Sequence, residues 1–88
     1  RRNNAEGLEY FTKELNELRL NYIPSSANFV LVEVGNGQQV FQAMQKQGVI
    51  TRPMGGYLLP QWIRISVGTP EENKRAISAL KEALGNLA

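Results

Sequence analysis

Residues 62–73, reading Trp-Ile-Arg-Ile-Ser-Val-Gly-Thr-Pro-Glu-Glu-Asn, leave few folds open to this chain. Side chains alternate across a strand, so Ile63, Ile65 and Val67 fall on one face and Trp62, Arg64 and Ser66 on the other. Gly68 breaks the strand. Thr69 is a good N-cap, Pro70 suits the first helical position, and Glu72 stands three residues after the cap, which predicts a capping box. A strand that feeds straight into a helix buries its apolar face under that helix and leaves Arg64 on the other face. On pattern alone, an arginine there is most simply an exposed side chain on a solvated sheet face. The alternative is that its planar fork of donors grips a carboxylate or phosphate.

The rest of the chain supplies the layer around that strand. Residues 2–20 read as an amphipathic helix with Leu8, Phe11, Leu15 and Leu18 on one stripe, capped by Asn3 or Asn4. Gly7 is expected to cost about 1 kcal/mol there and to fray the first turn. Residues 21–23 are short and extended, and Pro24-Ser25-Ser26 stops them. Residues 28–34 make a second strand with Val30, Val32 and Val34 on one face and Phe29, Leu31 and Glu33 on the other. Both faces are largely apolar, which predicts a central strand covered on both sides, one of them by something beyond these residues.

Gly35-Asn36-Gly37 is a turn. Residues 38–47 then form a helix with Val40, Phe41 and Met44 buried, and Gly48 ends it in the left-handed conformation. Residues 49–52 read as a short strand, and Pro53 keeps Arg52 extended. Residues 54–61 are a loop whose Gly55-Gly56 pair precedes no helix and is no phosphate cradle. The last helix runs from Pro70 to about residue 86, with Ile77, Leu80, Leu84 and Leu87 as its stripe, flanked by Ala76 and Ala83. Glu71 and Arg75 are spaced as an i, i+4 ion pair. The fold class expected is α+β: one domain over residues 1–88, with a small, mostly antiparallel sheet and two or three helices on one face.

Composition narrows the chemistry. The 88 residues contain no cysteine and no histidine, which excludes disulfides, thiolate catalysis, an imidazole base and the usual zinc sites. No metal site is expected. The net charge of +2 is interspersed, so nothing argues for nucleic acid. No run approaches the ~20 apolar residues of a spanning helix, so no membrane is expected. The expected location is cytoplasmic, in keeping with the lack of cysteine. The chain opens on Arg1-Arg2, as a piece of something longer would.

Three segments carry a resemblance. PSSANFVLVEV at 24–34, VFQAMQKQGVITRPMGGYLLP at 40–60 and WIRISVGTPEENKRAISALKEAL at 62–84 resemble the C-terminal end of histidinol-phosphate aminotransferases, which are fold-type I, pyridoxal-phosphate-dependent class I/II enzymes. The likeness runs through nearly the whole chain. It implies a C-terminal small domain that closes over pyridoxal 5'-phosphate held by a large domain, which is absent from these residues. By resemblance, Arg64 binds the substrate α-carboxylate and Arg52 matches a second arginine facing the substrate. The implied partners are small molecules (an amino acid or amino phosphate, and a 2-oxo acid), the protein's own large domain, and a second copy in a homodimer.

The resemblance also says what these residues lack. The family's Schiff-base lysine and its other cofactor contacts lie upstream, so no catalytic or cofactor-binding residue is expected here, and the isolated 88 residues should be inactive. Lys13, Lys46, Lys74 and Lys81 fall on polar helix faces or at a helix end, not where a nucleophilic lysine would be buried. A free-standing α+β ligand- or protein-binding module is the competing reading.

Overall fold

The computed structural model describes residues 4–25 and 28–87. Among them the order is α1 (Asn4–Glu17), β1 (Tyr22–Pro24), β2 (Phe29–Glu33), α2 (Gly37–Lys46), β3 (Arg52–Pro53), β4 (Trp62–Ser66) and α3 (Pro70–Leu87). A single turn of 3-10 helix, Gly55–Tyr57, sits in the β3–β4 connection. The expected cap by Asn3 or Asn4 and the burial of Leu87 fall on side chains outside the described set.

The strands pair antiparallel in the order β1-β2-β4-β3. Val30 stands opposite Ile65, and Val32 opposite Ile63. All four are buried, together with Phe11 and Leu15 of α1, Val40 and Met44 of α2, and Ile77 and Leu80 of α3. The three helices therefore share one face of the sheet, and the α+β layer expected from the alternation is the one observed. The face with Phe29, Leu31 and Glu33 is only half-buried, because no described element packs across it.

Helix ends explain most of the boundary differences. α1 stops at Glu17 rather than at 20, because Arg19 turns left-handed at φ 62°. The Arg19 N–H then bonds Asn16 O at 3.0 Å and the Leu20 N–H bonds Leu15 O at 3.1 Å, closing the last carbonyls in a Schellman motif. Gly48 does the same for α2 at φ 84°, as its type foretold. The Val49 N–H closes that motif on Met44 O at 3.1 Å. Residues 49–51 are thus spent leaving the helix, and pairing begins only at Arg52, not at 49.

Three local readings are corrected. Gly7 does not fray its helix. It is buried against the corner between β4 and α3, and a Cβ there would run into the Val67 side chain. Phe41 is half-exposed and lies outside the core cluster, where Ala43 packs instead. Arg75 does not pair with Glu71; its Nη2 donates to Gln47 O at 3.1 Å and so ties α3 to the C-terminus of α2.

The cap of α3 is reciprocal. The Glu72 N–H donates to Thr69 Oγ1 at 3.1 Å, and the Thr69 N–H donates to Glu72 Oε1 at 2.9 Å. Asn73, 4% exposed, braces the same corner by accepting from the Gly68 N–H at 2.8 Å. Thr69→Ala should cost about 0.5–2 kcal/mol. Chemical denaturation of the chain measures it, and an unchanged midpoint would mean that the cap carries nothing.

Candidate functional site: an arginine pair on the open sheet face

Opposed residues of an antiparallel pair point to the same side of the sheet. Arg64 is opposite Leu31 on β2 and opposite Arg52 on β3, and Leu31 is opposite Ile23 on β1. One row therefore crosses all four strands: Ile23, Leu31, Arg64, Arg52. It lies on the face away from the helices. Both arginines named from the sequence are on it, side by side. Sequence reasoning could not foresee their direct opposition, because an eight-residue loop does not fix a hairpin register.

Two like charges set directly opposite each other weaken a sheet. Among the described residues neither guanidinium has an ion pair or side-chain hydrogen bond to relieve this. Arg64 is half-buried, with its Cζ 4.8 Å from the centroid of the Phe29 ring. Arg52 is exposed. Of the side chains that the register puts on this face, Glu33 is the acidic one. Its Oε1 accepts from Asn21 Nδ2 at 2.8 Å, not from an arginine. The result is a local concentration of positive charge with no acidic partner among the described residues, suited to an anion with planar oxygens.

A groove of about 320 Å³ runs past Gly48, Ile50, Ser66, Glu72 and Arg75 at the sheet edge, away from both arginines. Lys13, Lys46, Lys74 and Lys81 are all exposed. Lys81 reaches Glu14 of α1 at 3.7 Å. None of the four lysines is buried. Among the described residues no cluster of acidic side chains could hold a metal ion, and no helix is long and apolar enough to cross a membrane.

Solved structures define the class to which this fold belongs. A helix-backed sheet of this kind occurs in the histidinol-phosphate aminotransferase of Sinorhizobium meliloti, solved in complex with pyridoxal-5'-phosphate. It matches with TM-score 0.76 and 27% identity, over 96% of this chain and 24% of that one. A Burkholderia pseudomallei protein proposed to be an aminotransferase matches with TM-score 0.80 and 32% identity, over 90% and 24%. Residues 1–80 match the family model for aminotransferase class I and II, and the chain belongs to that family. The histidinol-phosphate aminotransferase of Akkermansia muciniphila is 55% identical over 93% of this chain and 23% of its own length. The chain thus spans less than a quarter of the length of the curated relatives it matches.

Proposed function

We propose that this chain is the C-terminal small domain of a pyridoxal-phosphate-dependent aminotransferase. The reaction is histidinol phosphate with 2-oxoglutarate, giving imidazole acetol phosphate and glutamate in histidine biosynthesis. Arg64 binds the substrate carboxylate and Arg52 faces the same ligand. The observation that carries this reading is Arg52 and Arg64 side by side, with no acidic partner among the described residues, in a row completed by Ile23 and Leu31.

The open face is where the large domain closes. Ile23 is 52% exposed there, and Phe29, Leu31 and Trp62 are half-buried, so a second layer over them would bury apolar surface and dry the arginine row. A charge-assisted pair gains strength once water is excluded. The amino-transfer chemistry belongs to the cofactor, held by large-domain residues. This chain's contribution is to bind and orient the substrate. The whole enzyme is expected to be a homodimer in the cytoplasm.

The test has two arms. The whole enzyme should form glutamate from 2-oxoglutarate with histidinol phosphate as donor, at a kcat/KM well above that with aromatic amino acids. A preference for aromatic donors would overturn the substrate assignment. The isolated 88 residues, mixed with pyridoxal phosphate and reduced with borohydride, should show no stoichiometric lysine adduct by mass spectrometry. A single fully modified lysine would place the cofactor site in this chain and contradict the proposal.

A further inference from the structure

On β2, Arg64 has Leu31 directly opposite and two diagonal neighbours, Phe29 one way and Glu33 the other. An unpaired guanidinium would ordinarily take the carboxylate. Here it lies over the ring instead, with Cζ 4.8 Å from the Phe29 centroid. Glu33 is engaged by Asn21 at 2.8 Å, on the side of β2 that carries β1. We propose that Phe29 is a positioning residue for Arg64: its ring holds the guanidinium by a cation–π contact and leaves the N–H edge open for the substrate carboxylate. This rests on the reading of Arg64 as the carboxylate ligand.

The chemistry of the two diagonal partners makes the difference. An aromatic ring attracts a cation through its negative face. The five N–H donors lie in the guanidinium plane, so a partner that engages the charge without accepting them leaves the fork free. A carboxylate at the Glu33 diagonal would take those donors, and a substrate would then compete with an internal ion pair. The ring also restricts a long side chain before the ligand arrives, which lowers the entropy lost on binding. Asn21 supports the arrangement by giving Glu33 another donor.

The experiment uses the whole enzyme with Phe29→Leu and Phe29→Tyr, each alone and combined with Arg64→Ala. Steady-state kinetics with varied 2-oxoglutarate are read beside thermal unfolding. Phe29→Leu should raise KM about 3- to 30-fold and leave kcat within about twofold, because the contact acts on ground state and transition state alike. Phe29→Tyr keeps a ring and should restore KM. On top of Arg64→Ala, Phe29→Leu should add no further loss, since the residue acts through the arginine.

A native KM in Phe29→Leu, with Arg64→Ala still impaired, overturns the positioning role and leaves the Arg64 reading standing. An equal loss in both backgrounds also overturns it, because the ring then acts by packing alone. Full activity in Arg64→Ala removes the carboxylate reading and this inference with it. If Phe29→Leu unfolds below the assay temperature, Phe29→Met carries the same comparison, keeping an unbranched apolar side chain with no ring.

Discussion

Arg64→Ala in the whole enzyme should lower kcat/KM for 2-oxoglutarate by about 30- to several-thousand-fold while the unfolding temperature stays nearly unchanged. On the proposed role, domain closure would dry the pair between Arg64 and the carboxylate, and truncating one partner of such a pair costs roughly 2–5 kcal/mol. Arg64→Lys should recover only part of the loss, because an ammonium cannot hold two carboxylate oxygens in parallel. The fold should tolerate both changes. Arg64 faces away from the helices, and the β4 side chains that build the core are its neighbours Ile63 and Ile65, both buried. In Arg64→Ala, relief of the opposed Arg52 charge adds a small gain in stability, whereas Arg64→Lys keeps that opposition. Steady-state kinetics beside thermal unfolding separate the outcomes. Near-native kcat/KM would remove the carboxylate role, and an unfolded variant would make Arg64 a structural residue.

Gly37→Ala should have the largest effect on stability. Gly37 opens α2 and is buried against the entry to β4. A Cβ there would stand 2.6 Å from Trp62 O and 2.9 Å from Pro60 O. Both obstacles are backbone. The Gly37 N–H also donates to Pro60 O at 2.9 Å, so the helix start cannot slide away without breaking that bond. Overpacking of this kind costs about 1–3 kcal/mol, occasionally more. A small domain has roughly 5–15 kcal/mol in total. The midpoint of urea unfolding should fall accordingly, with an unchanged slope. Because Trp62 starts the strand that carries Arg64, any shift there should also raise KM for the oxo acid. An unmoved midpoint would show that the α2–β4 contact gives way freely.

Where the chain's local rules agree, its architecture was legible. Alternation in 62–67 and 28–34 placed Val30, Val32, Ile63 and Ile65 on one side, and Thr69 with Glu72 marked the start of α3. Gly48 announced its left-handed turn by residue type. Arg19 adopts the same conformation without that signal, which is why α1 ends three residues earlier than its pattern. Gly7 and Gly37 look alike in sequence as helix-weakening or turn residues. Only the packing shows that both are small because another segment crosses within a Cβ's reach.

The site divides in the same way. Arg64 stood out because a cation in mid-strand breaks an apolar pattern. Arg52 was named from resemblance, and its place opposite Arg64 came from a register that no local signal sets. Phe29 meets Arg64 as a diagonal neighbour some 35 positions away, and Asn21 meets Glu33 from just before the adjoining strand, twelve positions away, so no short window along the chain contains either contact.

The central claim is that Arg64 and a substrate carboxylate form a direct pair, and a double cycle on the whole enzyme tests it most directly. One side of the cycle is Arg64 against Arg64→Ala. The other is 2-oxoglutarate against an analogue whose carboxylate beside the keto group is replaced by a carboxamide, with both ligands measured as Kd under non-turnover conditions. Direct pairing predicts a coupling energy of at least about 1.5–2 kcal/mol: the carboxamide should bind worse than the acid in the native enzyme, and that difference should nearly vanish in Arg64→Ala. Equal acid-over-amide discrimination in both enzymes, with coupling near zero, would contradict the account.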